Sequence, residues 1–203
     1  MTTDHHITHI EVAPGFHPHE RELAALLFWQ AFRGKLGRIM WPEARALEFI
    51  TSNLDPEFAL AARDRNGNLL GMAGFKTAEG SLLGGGFSDL AASYGWVGAL
   101  WRGPILELLE RDIEDGVLLM DGIFVSKEAR GRGVGTALLS AIVDTARHLR
   151  MSKVRLDVID SNPRARALYE RQGFVEISKE DVGLLRYLLH FRTSTRMQRA
   201  LAS

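Results

Sequence analysis

The 203-residue chain contains no cysteine. A disulfide scaffold, a thiolate-ligated zinc site and thiol catalysis are therefore excluded. Neither sign of charge is in surplus, with 25 Lys and Arg against 25 Asp and Glu. That balance argues against a general polyanion binder, so nucleic acid is not an expected partner. No apolar run reaches about 18 residues, so no membrane span is expected. The opening Met1-Thr2-Thr3-Asp4-His5-His6 lacks the basic-then-apolar layout of a secretory signal, and a soluble cytoplasmic protein is the expectation. His5, His6 and His9 read as a polar start, and no metal site is expected. Apolar residues make up 46% and charged residues 25%, as in an ordinary folded protein. The length predicts one domain over 1–203 with a core large enough to need no staple.

The pattern along the chain alternates between strand and helix. Ile7 to Val12 alternates apolar and polar residues, and Pro14, Gly15 and Pro18 then break it. Glu20 to Phe32 has helical spacing, and Pro42 suits the first turn of a second helix reaching about Thr51. Phe58–Arg63 and Leu69–Lys76 read as strands joined by Asp64-Arg65-Asn66-Gly67, a strong hairpin signal. Val117–Val125 is an apolar run interrupted by Asp121 and Gly122. Gly135–Leu149 has one apolar helical face, Lys153–Val158 alternates, and Pro163–Gln172 is a helix capped by Asn162 and stopped by Gly173. Phe174–Ile177 and Leu184–Phe191 read as strands, and the polar, basic stretch from Thr193 to Ser203 is expected to fray. The C-terminal half thus implies an α/β layered fold.

The segment from about Ala78 to Asp115 interrupts this regularity and reads as an insertion. It carries Gly84-Gly85-Gly86, read as a flexible loop, then Tyr94, Trp96 and Trp101, and ends in the helical run Ile105–Ile113. Long insertions of this kind often form lids or partner surfaces. Its apolar character, with the last strand, makes a homodimer an expected possibility.

The most informative stretch is Val125-Ser126-Lys127-Glu128-Ala129-Arg130-Gly131-Arg132-Gly133-Val134-Gly135-Thr136, between a buried strand and an amphipathic helix. Successive N–H groups and the helix dipole favour an anion there. Missing β-carbons at Gly131, Gly133 and Gly135 admit a phosphate close to the backbone, and Arg130 and Arg132 add charge. The expectation is a diphosphate pocket. The P-loop pattern fails for want of its lysine. A dinucleotide fingerprint fits Gly131 and Gly133 but meets Thr136 where its third glycine belongs, with Asp157 as a candidate ribose acid.

Arg130, Gly133 and Gly135, with Val125 five residues before the arginine, resemble the acyl-CoA loop of the GCN5-related N-acetyltransferase (GNAT) superfamily. The downstream run from Asn162 to Phe174, Asn-Pro-Arg-Ala-Arg-Ala-Leu-Tyr-Glu-Arg-Gln-Gly-Phe, resembles that superfamily's Asn-x-x-Ala-x-x-Leu-Tyr-x-x-x-Gly-Phe segment. The resemblance covers roughly Phe58 to Phe191 outside the insertion. It implies a mixed, splayed central sheet with helices on both faces, and transfer of an acetyl group from acetyl-CoA to a small-molecule or peptide amine. It implies that pantetheine lies in the splay against main-chain groups of Ile123, Phe124 and Val125, with an N–H there to stabilise an oxyanion. The run Gly131-Arg132-Gly133-Val134-Gly135-Thr136, with Arg130, would hold the pyrophosphate.

By the same resemblance Tyr169 is the acid that protonates the departing thiolate, and Asn162 touches the cofactor besides capping its helix. Asp121 is the candidate base, because an alkylamine titrating near about 10 must lose a proton before it attacks. A carboxylate inside an apolar strand is costly unless paired or functional. Spacing by two places it nominally on one face with Ile123 and Val125. Arg164 and Arg166 are candidates for the adenosine phosphates. Trp29, Trp41, Tyr94, Trp96 and Trp101 are candidate walls for the acceptor, with Asp89 and Glu107 to attract a cation. Two other readings stay open on the residues alone: a non-catalytic CoA-binding module and a nicotinamide-dinucleotide binder.

Overall fold

The computed structural model describes residues 9–108, 113–183 and 191–201. The strands are β1 (Glu11–Pro14), β2 (Ala59–Arg63), β3 (Leu69–Thr77), β4 (Gly80–Ser81), β5 (Val117–Val125), β6 (Lys153–Ile159), β7 (Val175–Asp181) and β8 (Thr193–Ala200). The helices are α1 (Arg21–Leu36), α2 (Glu43–Asn53), α3 (Phe87–Leu108), α4 (Val134–His148) and α5 (Pro163–Arg171). The sheet runs β1-β2-β3-β5-β6-β8-β7, with β4 paired to β3.

Local chemistry accounts for most of these elements. Asp64 caps the β2–β3 turn, its carboxylate accepting the N–H groups of Asn66 and Asn68 at 2.9 Å each, while Gly67 takes φ +80°. Pro42 precedes α2 as its N-cap residue, and Asn162 caps α5 by accepting the Ala165 N–H at 3.2 Å. The apolar face of α4 buries Leu138, Leu139, Ile142 and Val143 against Leu118, Met120, Val154 and Leu156 of the sheet. On the opposite face α1 and α2 bury Ala24, Phe28 and Ile50 against Ala59, Ala61, Met72 and Phe124. The sheet is thus covered on both faces, as expected.

One sequence reading is corrected. The stretch from Thr193 does not fray: it forms β8, between β6 and β7, with Ser194, Thr195 and Met197 buried. Its charges disguise it, because Arg196 pairs across both neighbours, with Asp157 at 3.8 Å and Glu180 at 3.3 Å. The triple glycine is an exposed, irregular connection that runs against Asn53. Gly84 N–H donates to the Asn53 carbonyl at 3.0 Å, and a β-carbon on Gly85 would sit 2.8 Å from the Asn53 side chain. The segment 78–115 holds β4 and the long α3, whose helical course breaks at Gly95 (φ +72°, ψ 164°). The expected strand Leu184–Phe191 lies outside the described residues except for buried Phe191. His5 and His6 also lie outside them. No helix among the described residues is long and apolar enough to cross a membrane.

Candidate active site

The site begins where two strands part. β5 and β6 run parallel and pair only from Val117–Lys153 to Met120–Leu156. Both strands continue, to Val125 and Ile159, without pairing to each other. Beyond Met120 and Leu156 the facing edges of the two strands are no longer paired to each other, and a wedge opens in the sheet.

A β-bulge coincides with the parting. Gly74 of β3 pairs with Gly122, but the next residue, Phe75, pairs with Met120. Asp121 is the extra residue. The bulge inverts the alternation of β5: Leu118 and Met120 pack on the α4 side, and so do Ile123 and Val125, while Phe124 packs on the α1 side. The expectation that Asp121 shares a face with Ile123 and Val125 is thereby overturned, since one inserted residue flips every side chain beyond it.

A cavity of about 850 Å³ fills the wedge and extends between α1, α2 and α3. Asp121, Ile123, Phe124, Asn162 and Tyr169 all line it. Tyr169 is only 6% exposed, its ring 6.1 Å from that of Phe174. Burial alone pushes its hydroxyl up to about 12.

Val125 and residues 130–136 lie outside the cavity lining, on the chain leaving β5. Gly131 (φ +75°) and Gly133 (φ +87°) turn this loop into α4, and a side chain at either position would be strained. A β-carbon on Gly131 would meet nothing within 4 Å, and one on Gly133 only Ile10 at 3.9 Å, so the surface beside them is open. The N–H groups of Val134, Gly135 and Thr136 belong to the first turn of α4 and have no carbonyl within the helix. Gly135 serves packing instead: a β-carbon there would lie 3.3 Å from Leu168 of α5. Arg130 and Arg132 are exposed, and Arg130 Nε donates to the Val125 carbonyl at 3.3 Å. A cradle of amides beside exposed guanidinium groups fits a diphosphate, and the edge of β5 beyond its pairing with β6 fits an amide-bearing arm.

Other expected residues are used differently. Arg166 is held by Glu170 at 2.9 Å and Glu176 at 2.7 Å. Asp157, the candidate ribose acid, lines the cavity and faces Arg196 across β6–β8. None of Trp29, Trp41, Tyr94, Trp96 and Trp101 lines the cavity. Trp29 and Tyr94 are core residues, while Trp41 and Trp96 are exposed. Asp89 accepts the Gly86 N–H at 2.8 Å at the start of α3, whereas Glu107 does line the cavity. The walls are instead Phe28, Phe32, Met40, Phe49, Leu90 and Leu106, with Lys76 and Ser194 as polar members. Helical spacing places Phe28 on the apolar face of α1, but nothing local tells a core face from a cavity wall.

The chain belongs to the acetyltransferase (GNAT) family, which it matches over residues 22–174. It is similar to the mycothiol acetyltransferase of Beutenbergia cavernae, at 35% identity over 40% of this chain and 32% of that protein. It is also similar to the 5-NmdU N-acetyltransferase of Pseudomonas phage PaMx11, at 41% identity over 30% of this chain and 41% of that one. The matched stretch thus spans less than half the length of these curated relatives. Among solved structures, a GCN5-related N-acetyltransferase from Kribbella flavida superposes with a TM-score of 0.64 at 17% identity, over 95% of this chain and 98% of that one. An N-acetyltransferase from Staphylococcus aureus Mu50 gives 0.64 at 16% identity, over 93% and 100%. These structures share the fold. The dinucleotide-binding alternative falls with the family match and with a sheet whose one parallel pair among the described strands is β5–β6.

Proposed function

We propose that the chain is an acetyl-CoA-dependent N-acetyltransferase acting on a primary amine, with 1–203 as one acyl-CoA-binding domain and 78–115 as an insertion on it. The cytoplasm is the compartment proposed, since the reaction draws on a supply of acetyl-CoA. The observation that carries the reading is the cavity at the parting of β5 and β6, which gathers Asp121, the edge of β5 beyond its pairing with β6, and Tyr169.

Acetyl-CoA supplies an activated thioester. Gly131, Arg132, Gly133, Val134, Gly135 and Thr136, with Arg130, hold its diphosphate, and main-chain groups of Ile123, Phe124 and Val125 hold its arm. Asn162 caps α5 and lines the wedge next to that arm. A backbone N–H on that edge of β5 faces the carbonyl oxygen where negative charge develops. Asp121 takes the proton of the incoming ammonium, directly or through a water. Tyr169 donates its hydroxyl proton toward the departing sulfur. With its pKa near 12, the hydroxyl is a strong reservoir of that proton and ionises only in strong alkali.

Titration calorimetry with acetyl-CoA and a thiol-release assay over a panel of amines test this. Binding with micromolar affinity and amine-dependent release are expected. Binding without release for any amine would leave a CoA-binding module instead, and no binding heat would remove the reading.

A further inference from the structure

We infer that the acceptor is a primary amine carried on an apolar alkyl or aryl body, seated between α1 and α3 with its nitrogen at Asp121. This rests on the N-acetyltransferase reading and adds the class of acceptor.

The floor of the cavity beside the bulge is an aromatic triad. Phe28 and Phe32 lie 4.6 Å apart between ring centres, and Phe124 lies 5.3 and 5.5 Å from them. Gly122, the residue after Asp121, sits directly on the triad: a β-carbon there would meet Phe124 at 2.9 Å and Phe32 at 3.4 Å. Asp121, one of three carboxylate residues on the lining, thus adjoins the aromatic triad. Leu90 and Leu106 of α3 and Met40 and Phe49 continue the apolar lining around it.

The mouth has the same character. Phe87 and Leu100 line the cavity yet are 42% and 70% exposed. Outside them the Trp96 ring packs 5.5 Å from that of Phe87, with Trp96 75% and Val97 83% exposed. Apolar surface gathered this way around an opening marks a place where apolar matter passes or binds. Asp121, Glu107 and Asp157 on the lining outnumber its one lysine, Lys76, which suits an ammonium group entering with an apolar body.

The chemistry balances for such an acceptor. The ammonium gives one proton to Asp121 and thence to solvent. The freed lone pair forms the C–N bond, and the C–S bond breaks with its electron pair on sulfur. The nitrogen loses its second proton to solvent as the amide forms, and sulfur takes one from Tyr169, which solvent restores.

The test is a homologous series from n-propylamine to n-hexylamine, with 2-phenylethylamine, ethanolamine and lysine, in the thiol-release assay on the full chain. Each added methylene should raise kcat/KM about fourfold, the equivalent of about 0.8 kcal/mol per buried CH₂. By the same measure 2-phenylethylamine should exceed ethanolamine by more than about tenfold, in kcat/KM and in calorimetric affinity alike. Phe32→Ala should flatten the series, and Leu106→Ser offers the same check should the first variant fail to fold. A flat or falling series, or a preference for ethanolamine or lysine, overturns the inference while leaving the acetyltransferase intact. Failure of every amine to release thiol overturns both, and calorimetry with acetyl-CoA then shows whether binding survives.

Discussion

The hydroxyl of Tyr94 donates to the carbonyl of Met40 at 2.7 Å, across 54 residues of chain. Arg102, one of the few buried charged residues, completes the clamp. Its Nε donates to the Ile39 carbonyl at 2.7 Å and its Nη2 to the Trp41 carbonyl at 2.9 Å. Three successive carbonyls of the α1–α2 connection are thus held by two side chains of α3. The guanidinium lies 4.2 Å from the centre of the Tyr94 ring and 4.1 Å from that of Trp101. Burial lowers the pKa of Arg102 and raises the Tyr94 hydroxyl to about 12, so the latter remains a neutral donor. Met40 and several α3 residues line the cavity, so the clamp sets the spacing of its walls.

Arg102→Met should therefore raise KM for the acceptor about tenfold with little change in acetyl-CoA affinity, since each buried carbonyl left unpaired costs about 1–3 kcal/mol. Gly98→Ala should act in the same direction, because a β-carbon there would lie 2.9 Å from Tyr94 Cβ and 3.1 Å from Arg102 Nη1. Steady-state kinetics in both substrates separates this from general destabilisation, which would lower kcat and both affinities together.

Tyr169→Phe should lower kcat by about a hundredfold, the scale of one general acid, and change the acetyl-CoA dissociation constant less than twofold on the same ground. The pH profile carries a sharper test. The active form is the protonated hydroxyl, and burial raises its pKa to about 12, so activity should show no alkaline loss from Tyr169 up to about pH 10, where an exposed tyrosine is half ionised. A limb falling near pH 10 in the wild type and absent from Tyr169→Phe would contradict that burial.

Asp121→Asn should also cost about a hundredfold in kcat/KM at neutral pH. The deficit should shrink as the assay pH approaches about 10, where the free amine needs no base. A deficit independent of pH would make Asp121 a structural bulge residue.

Glu20 and Arg63 form a buried ion pair at 2.6 Å, and it predicts acid sensitivity of the fold. The Arg63 hydrogen bond leads in lowering the Glu20 pKa from 4.5 to about 2. A depressed carboxylate stabilises above its unfolded pKa, so this contribution is complete above about pH 4.5 and is lost as pH falls toward 2. At about 1.4 kcal/mol per pK unit its ceiling is about 3 kcal/mol. Glu20→Gln should lower the melting temperature at neutral pH and flatten its dependence between those values, as calorimetric melts at stepped pH will show.

Much of this protein is legible in the order of its amino acids. The Asp64–Gly67 turn, the Asn162 cap, the amphipathic α4 and the glycines at 131 and 133 are local chemistry, set by residues within a turn or two of each other. The amides at the start of α4 and the placing of Tyr169 on α5 follow from the same short-range rules. Other features depend on which strands become neighbours. The bulge at Asp121 exists because β3 and β5 pair in a register that leaves one residue over, and the 117–125 run contains no sign of it. β8 is a strand because β6 and β7 flank it and its arginine finds partners on both. Phe28 and Phe32 became cavity walls, and Tyr94 and Arg102 a clamp, only when α3 packed beside α1 and α2. Local sequence determines what each segment can form, while long-range pairing and packing decide which faces meet and hence what the cavity can hold.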